Sequence, residues 1–206
     1  MKKVINCYTE NNPVINKKLR EVSVEEGLEI ATELFQILNQ RGDGIGLAAN
    51  QVGIDAQVAV VNVREPLVLI NPKIEEVWDE IDYYEGCLSY PNKGIHTKRY
   101  KNIIINTEQE EGGWYFSGAE SSKGKGTWET SAKHDQEQRL LEAVCVQHEI
   151  DHLMGKTVHD RKVDTTVKVE KKIGRNQLVT IKRNDAVKVL KYKKAQKFLN
   201  QGWVIT

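Results

Sequence analysis

The sequence predicts an α+β protein with a small basic C-terminal appendage. Apolar residues recur at helical spacing over residues 24–40, whereas short β-branched runs occur at 58–63, 67–70 and 103–105. Helical and strand patterns that occupy different parts of a chain in this way are typical of an α+β fold. With 206 residues, of which 39% are hydrophobic, the chain is long enough to bury one core.

The first helix is predicted over residues 24–40. Ser23 and Glu26 have the spacing of a capping box, which marks a helix N-terminus. Residues 41–44 contain two glycines and end the helical pattern. The apolar positions of the predicted helix are Leu28, Ala31, Leu34, Phe35 and Leu38.

Strands follow this helix. The runs 58–63 and 67–70 are separated by Pro66 and predict two paired strands, and 103–105 predicts a further strand. Residues 108–138 are polar and rich in glycine, and they predict a long hairpin or insertion with strands around its aromatic residues. These aromatic residues are Trp114, Tyr115, Phe116 and Trp128.

A second helical pattern follows the insertion, and the chain then becomes basic. Leu140, Leu141 and Val144 begin the helical pattern, which continues through residue 152. From residue 156 to the end there are 14 Lys and Arg residues against 4 Asp and Glu, whereas residues 1–155 carry 16 against 25. A basic segment of this kind often approaches a polyanion, and a solvated basic surface without a partner is the alternative.

The basic tail predicts its own small structure. Short apolar runs at 167–169, 178–182 and 186–190, with a turn at 183–185, predict strands that include a β-hairpin. Residues 193–199 predict a short helix that ends near Gly202.

Three properties of the chain predict a cytoplasmic protein without a membrane partner. No apolar run approaches the roughly 18 residues that cross a bilayer. The N-terminal residues carry charge but no following apolar segment of a signal peptide. The three cysteines, Cys7, Cys87 and Cys145, are an odd number and are predicted to be thiols.

The most informative motif is His148-Glu149-x-x-His152. In a helix, side chains four residues apart share one face, so both imidazoles can bind the same divalent ion. Glu149 then lies beside that ion and can handle protons on a bound water, as in hydrolytic enzymes. A helix with two surface histidines is the alternative that the motif alone leaves open.

Two other motifs precede it. The segment E-G-C-L-S at 85–89 contains Cys87, a candidate third metal ligand, although a lone cysteine is more often a buried core residue. Gly44 and Gly46 open a segment that ends at Gln51. These glycines are also compatible with a nucleotide-binding turn in which Ala49 replaces the third glycine.

Together the three motifs resemble those of the peptide deformylase family. The order G-x-G-x-A-A-x-Q at 44–51, E-G-C-L-S at 85–89 and Q-H-E-x-D-H at 147–152 matches that family without substitution at the defining positions. The resemblance implies a catalytic domain over 1–160, with antiparallel or mixed sheets packed around a central metal-binding helix. It does not cover the insertion or the tail, so residues 161–206 are predicted to form a basic extension.

The resemblance implies one divalent metal ion per chain. Its ligands are Cys87, His148 and His152, and water takes the fourth position, which stays open in catalytic sites. Fe(II) is the native metal of the family, and Zn(II), Ni(II) or Co(II) suit a thiolate and two imidazoles comparably well.

The implied activity is removal of the formyl group from N-formyl-methionyl peptides, the newly made polypeptides, with release of formate. Glu149 takes the proton of the attacking water and later returns it to the departing amine. The side-chain amide of Gln51 and the backbone N–H of Leu88 are the implied donors to the formyl oxygen. Gly46 lets the substrate pass close to the backbone because it has no Cβ.

The substrate contacts implied by the resemblance surround this centre. An apolar pocket holds the methionine side chain, with Glu85 supplying mainly its stem, and a plain core cysteine is the alternative for Cys145. The implied contact residues are Ile45, Gly46, Glu85, Gly86, Val144 and Cys145, with His148 beside them.

Four other positions bear on the site. Arg99 and Asp151 are implied to brace the metal helix, and a solvent-facing aspartate is the alternative for Asp151. Many family members carry an arginine after the cysteine motif that contacts the substrate backbone. Gly94 stands at that position here, with Lys93 beside it as a replacement.

The predicted partners are formyl-methionyl peptides and the ribosome, onto whose RNA the basic extension would dock, and no DNA partner is predicted. Two other functions stay open. One is an H-E-x-x-H metallopeptidase that cleaves internal peptide bonds with His159 or Glu170 as a downstream ligand, against which the upstream Cys87 and Gln51 argue. The other is a relative that binds formylated or metal-linked partners without catalysis, against which the intact ligand set argues.

Overall fold

The structure is a computed structural model that describes residues 2–118, 129–163, 178–183, 186–199 and 203–205. The chain divides into two compact units, Met1–Val163 and Asp164–Thr206. All strand pairs of the described residues are antiparallel, and they form three three-stranded sheets. The predicted α+β class is confirmed. Within the described part of the chain, no helix is long and apolar enough to cross a membrane.

The first helix, α1, extends over Val24–Arg41 and confirms the prediction for 24–40. The Ser23 hydroxyl accepts a hydrogen bond from the Glu26 backbone N–H at 3.2 Å, as an N-cap residue does. The Glu26 side chain turns instead toward Arg20, whose guanidinium donates to it. The helix ends at Gly42, which adopts a left-handed φ of 69° and donates its N–H to Leu38.

The buried face of α1 differs from the prediction at Leu28, which is 48% exposed. The adjacent Gly27 faces the core instead, and a Cβ on Gly27 would lie 2.7 Å from Ile70 Cδ1. Since a side chain at position 27 would collide with Ile70, the glycine allows the helix to pack closely on the sheet, and Leu28 is turned toward solvent.

The first sheet contains β1 (Gly46–Ala48), β2 (Val58–Asn62) and β3 (Pro66–Ile70), in that order. The predicted pairing of the second and third strands is confirmed. Ala59 and Val61 pack against the second long helix, while Val58 and Val60 pack in the cluster that contains α1. Because both faces are covered, β2 is apolar from Val58 to Val61 and does not alternate there.

The second sheet contains β4 (Lys73–Cys87), β5 (Tyr90–Thr107) and β6 (Glu110–Ser117). The predicted strand at 103–105 is confirmed as part of β5, but the sequence pattern did not predict β4. The first eight residues of β4 are all exposed. A strand that is solvated on both faces has no apolar alternation to reveal it. The aromatic residues at 114–116 lie on β6 and pair with β5.

The second long helix, α2, extends over Glu129–Leu153. The prediction of an insertion over 108–138 was therefore wrong for 129–138, which form the beginning of α2. Within α2, Arg139 and Asp135 form an ion pair one turn apart at 2.7 Å. Residues 119–128, including Trp128, lie outside the described residues.

The second unit contains β7 (Leu178–Arg183), β8 (Ala186–Lys191), α3 (Tyr192–Leu199) and β9 (Val204–Ile205), with strand order β8-β7-β9. Its small core consists of Val179, Ile181 and Ala195 with Phe198 and Trp203 packed against it. The predicted strand at 167–169, residues 184–185 of the predicted turn, and Gly202 lie outside the described residues.

Two glycines with left-handed φ values allow a matched test of the packing. Gly155, with φ of 72°, follows α2, and a Cβ there would lie 2.5 Å from the backbone carbon of Lys17, whereas nothing lies within 4 Å of a Cβ at Gly42. We expect Gly42→Ala to lower the free energy of unfolding by about 1 kcal/mol, from the φ value alone. Gly155→Ala should cost at least about 2 kcal/mol more, because backbone must move. Urea denaturation measures both variants. Equal losses in their free energies of unfolding would contradict the packing described for Gly155.

Candidate metal centre

Three side chains from two elements meet at one point of the first unit. Cys87 ends β4, and His148 and His152 lie one turn apart on α2. Cys87 Sγ lies 3.3 Å from His152 Nε2, and the two Nε2 atoms are 3.2 Å apart. His148 is 8% and His152 1% exposed, so the alternative of two surface histidines is wrong.

The donor set fits a divalent metal ion. All three ligand atoms lie within 4.8 Å of one another. A tetrahedral ion with Zn–N bonds near 2.0–2.1 Å and a Zn–S bond near 2.3 Å separates its nitrogens by about 3.3 Å and sulfur from nitrogen by about 3.6 Å. The observed separations of 3.2 and 3.3 Å agree with this within a few tenths of an ångström.

The surroundings of Cys87 favour its thiolate form. Burial raises the pKa of the Cys87 thiol, but the charge on His152 and hydrogen bonds from His148 and His152 outweigh burial and hold the pKa well below its usual range. Burial lowers the pKa of His148, but hydrogen bonds to Cys87 and Glu85 outweigh it and hold that pKa well above its usual range. A thiolate is the form of cysteine that binds metal ions.

Glu149 lies next to this cluster with a free oxygen. Its side chain is 3% exposed, and its Oε2 atom has no hydrogen-bond partner among the residues that the structure describes. Burial raises the pKa of Glu149 to about 7, although the neighbouring histidines act in the opposite direction. A carboxylate with a pKa near neutrality can both accept and return a proton, as general acid–base catalysis requires.

Gln51 is held in one orientation beside Cys87. Its Oε1 accepts from the Ala48 N–H at 2.8 Å, and its Nε2 donates to Ser89 Oγ at 3.2 Å and lies 3.6 Å from Cys87 Sγ. These contacts aim the amide N–H groups at the metal side of the cavity. Leu88 follows Cys87 directly, and its side chain packs in the core cluster that contains α1.

The cavity at this centre has a volume of about 620 Å³. It brings together the residues that the resemblance implied for substrate binding. Three tyrosines that were not predicted, Tyr83, Tyr84 and Tyr90, also line it. The predicted residues that line it are Ile45, Gly46, Gln51, Glu85, Gly86, Cys87, Leu88, Lys93, Gly94, Val144, Cys145, His148 and Glu149.

Gly46 leaves room for the Glu149 and Cys145 side chains. A Cβ at Gly46 would lie 2.7 Å from Cys145 Sγ and would overlap the Glu149 carboxylate. Burial raises the pKa of Cys145 well above its usual range. Cys145 lines the cavity and is not part of the Cys87, His148 and His152 cluster. Gly44 precedes β1 and Gly46 is its first residue, whereas a nucleotide-binding turn follows a strand and opens a helix.

A chain of buried ion pairs extends from the cluster to the protein surface. Glu85 Oε2 lies 3.4 Å from His148 Nδ1, and Glu85 Oε1 accepts from Arg99 at 2.6 Å. Arg99 also donates to Asp151 at 2.5 Å, and Asp151 accepts from Arg161 at 2.7 Å. Arg99 is 2% and Asp151 4% exposed, so the solvent-facing alternative for Asp151 is wrong.

Ser89 and Arg161 also contribute to the site and were not predicted from the sequence. Ser89 belongs to the E-G-C-L-S motif, but the hydrogen bond that its buried hydroxyl accepts from Gln51 is visible only in the folded structure. Arg161 lies ten residues beyond Asp151 and gives no sequence signal. Two downstream ligands were considered for a peptidase. The ring of His159 packs against that of Tyr90, with centroids 4.7 Å apart. Glu170 lies outside the described residues.

Comparison with known proteins gives a consistent result. The family model described as polypeptide deformylase matches residues 4–168. A peptide deformylase of Dictyoglomus thermophilum is 34% identical over 164 residues, which are 78% of this chain and 94% of the relative. That of Aquifex aeolicus is 30% identical over 73% of this chain and 82% of its own.

Solved structures agree with the sequence relatives. The structure of peptide deformylase from Thermotoga maritima is similar with a TM-score of 0.61, at 28% identity, over 79% of this chain and 98% of that one. A peptide deformylase of Synechococcus elongatus in complex with actinonin has a TM-score of 0.59, at 29% identity, over 80% of both chains.

The buried Glu149 makes the stability of the metal-free protein depend on pH. Because its pKa is raised from 4.5 to about 7, the folded protein keeps a proton that the unfolded chain releases, and stability falls as pH rises through that window. We expect metal-free Glu149→Gln to exceed wild type in free energy of unfolding by about 3 kcal/mol at pH 8. The difference should disappear near pH 4. Denaturant titrations at both pH values measure this difference in free energy of unfolding. Equal stability of the two proteins at pH 8 would show that ionising Glu149 does not destabilise the fold.

Proposed function

The chain belongs to the polypeptide deformylase family, and we propose that it removes the formyl group from the N-terminal formyl-methionine of new polypeptides, releasing formate. One observation carries this proposal: Cys87, His148 and His152 converge on one point, and the free Glu149 oxygen lies beside them. Hydrolysis of an amide needs an activated water and a group that moves its proton, and these four side chains supply both.

The proposed ligands hold one divalent metal ion, Fe(II) in the cell. Zn(II), Ni(II) and Co(II) suit the same donor set. When bound, such an ion acts as a Lewis acid that polarises the formyl carbonyl and lowers the pKa of water. Glu85 orients one of the proposed ligands. Its Oε2 atom lies 3.4 Å from His148 Nδ1, which fixes that side of the ring and leaves Nε2 for the ion.

The protein's own groups then move the proton and stabilise the developing charge. Glu149 accepts a proton from the attacking water and gives it to the departing amine, so that the products leave as formate and a free N-terminus. Negative charge grows on the formyl oxygen as the carbon becomes tetrahedral. The Gln51 amide and the Leu88 N–H are the proposed donors to that oxygen, and Ser89 keeps the amide in its orientation.

The methionine side chain enters the apolar part of the cavity. Val144 and Cys145 of α2 form one wall, with Ile45 opposite them along the segment that leads into β1. Glu85 and Gly86 of β4 lie on the other side. The Cys145 thiol donates to the Ile45 carbonyl at 3.8 Å, which joins the two walls. Methionine suits such a pocket because its side chain is flexible and apolar.

The role of Glu149 is testable with a matched pair of variants. Glu149→Gln keeps the shape of the side chain but removes its basicity, so we expect kcat for formate release from a formyl-Met tripeptide to fall by about 10² to 10⁴. Metal content should stay that of wild type. Formate release and metal content are measured under anaerobic conditions after loading with Fe(II).

The control is Glu142→Gln, on the same helix. Glu142 is 7% exposed and lies 3.6 Å from Arg64. Glu142→Gln should retain wild-type formate release, which separates loss of the base from loss of any buried carboxylate on α2. Wild-type turnover by Glu149→Gln would refute the assignment of Glu149.

The basic second unit is proposed to dock on ribosomal RNA, so that the enzyme works on emerging chains in the cytoplasm. Its described residues include seven Lys and Arg and no Asp or Glu. Lys182, Lys191, Lys193 and Lys194 are exposed. Lysines gain by displacing counterions from phosphates, which supplies binding without sequence specificity.

This docking predicts a measurable salt dependence. Replacing Lys191, Lys193 and Lys194 with glutamine should reduce the slope of log affinity for ribosomes against log salt by about 2 to 3. Lys98→Gln is the control, because Lys98 pairs with Glu80 at 2.8 Å in the first unit. Co-sedimentation with ribosomes over a range of salt concentrations measures the slope for the triple variant and for the control. If deletion after Lys162 left low-salt co-sedimentation unchanged, the docking proposal would fail.

A further inference from the structure

One face of the second sheet points away from the core. Ile103 and Ile105 of β5 are buried in the core cluster that contains α2, so the residues between and beside them on the strand point to the opposite side. Side chains of directly paired residues share a face of an antiparallel sheet. We call this surface the outer face. It comprises Glu76, Trp78, Glu80 and Asp82 of β4, Lys98, Tyr100, Asn102 and Ile104 of β5, and Tyr115 and Ser117 of β6.

Two stacked aromatic rings lie exposed on the outer face. Trp78 is 37% and Tyr115 58% exposed, and neither belongs to a core cluster of the described residues. Their rings are nearly parallel, at 9°, with centroids 5.7 Å apart. The Tyr115 hydroxyl donates to Oδ1 of the buried Asn102 at 3.2 Å, which fixes the pair on the sheet. Tryptophan and tyrosine are enriched where proteins bind their partners, and these two rings have no structural role in the core.

Carboxylates surround the two rings. Residues 73–82 contain five Asp and Glu and one Lys. Glu80 pairs with Lys98 at 2.8 Å, whereas Glu76 and Asp82 form no ion pair with another described residue. The outer face as defined thus carries three carboxylates and one cation. Electrostatic complementarity therefore requires a positively charged partner, and a polyanion such as RNA is repelled.

The spacing of these groups indicates an extended polypeptide. Glu76, Trp78, Glu80 and Asp82 pair with alternate residues of β5, from Ile104 to Lys98, so the row is about 20 Å long and its members lie about 7 Å apart. Alternate side chains of an extended peptide recur at the same spacing. A peptide with cations at alternate positions can therefore meet the whole row, whereas a single small cation meets one carboxylate.

Arginine is the cation that suits both the rings and the carboxylates. Its planar guanidinium stacks on aromatic faces and binds a carboxylate through two parallel hydrogen bonds. Tryptophan is the side chain over which such a cation is held best. The lysine ammonium is a compact charge that is strongly hydrated, so it gains less from Trp78.

We propose that the outer face is a docking surface for an extended, arginine-rich polypeptide segment, whose guanidinium groups lie on Trp78 and beside Glu76 and Asp82. None of the outer-face residues lines the active-site cavity. Docking on this face is therefore independent of the proposed hydrolysis, and its test needs no substrate.

The test titrates the whole chain with two synthetic peptides of about eight residues, the length that spans the row. One alternates Arg with Ser, and the other alternates Lys with Ser. Wild type should bind the arginine peptide about fivefold more tightly than the lysine peptide, because only the guanidinium stacks and binds carboxylates in pairs. Both affinities should fall as salt is raised, since the charges are exposed. Isothermal titration calorimetry measures them.

Variants of the outer face separate its two features. Trp78→Ala should lower the affinity for the arginine peptide about fivefold and so remove the preference over the lysine peptide. Glu76→Gln combined with Asp82→Asn should lower both affinities by about fivefold or more. Melting curves followed by circular dichroism check that each variant is folded.

The matched control removes the same charge elsewhere. Glu25→Gln combined with Glu29→Gln changes two exposed carboxylates of α1. This variant should alter the affinity for the arginine peptide by less than about twofold, because its charges lie outside the outer face. Equal losses in the two double variants would show that net charge alone attracts the peptide, and would overturn the proposal.

Three other results would also overturn it. One is that wild type shows no saturable binding of the arginine peptide, or binds both peptides equally. Another is self-association that Trp78→Ala abolishes in sedimentation velocity, which would make a second copy of the chain the occupant. The third is binding of an RNA oligonucleotide that Trp78→Ala weakens, which would assign the face to a nucleic acid.

Discussion

The buried guanidinium of Arg99 is the constraint on which the rest of the active-site structure depends. Arg99 comes from β5, and its two carboxylate partners, Glu85 and Asp151, come from β4 and α2. A buried charge is tolerated only when it is paired, and removing one partner of such a pair typically costs about 3–5 kcal/mol. The sheet and the helix must therefore come together in one register for any of the three charges to be satisfied.

That register is also the one in which the proposed metal ligands meet. Glu85 lies two residues before Cys87, and Asp151 lies between His148 and His152 on the same helix. Each element that contributes a ligand thus contributes a carboxylate to Arg99 close by in sequence. Arg161 pairs with Asp151 and is itself partly exposed. The chain of ion pairs that begins at the His148 ring therefore ends near the protein surface. Fixed ligands need no rearrangement when the ion binds, which favours tight and specific coordination.

The sequence predicted those parts of the structure that leave a periodic or chemical signal. Helix α1 was predicted because its apolar residues recur with helical spacing, and the Cys87, His148 and His152 cluster because its motifs resemble a known family. Strand β4 was not predicted, since its exposed, charged first half shows no alternation. Ser89 and Arg161 contact Gln51 and Asp151, which lie 38 and 10 positions away, and no local pattern reveals such contacts.

This centre is proposed to hydrolyse a formyl amide and to leave peptide bonds intact. The direct measurement incubates the Fe(II)-loaded protein, without oxygen, with a single peptide that begins with formyl-methionine and contains several internal bonds, and identifies the products by mass spectrometry. We expect one formate for each peptide and an otherwise intact chain. Internal fragments with the formyl group retained would contradict the account and indicate a metallopeptidase.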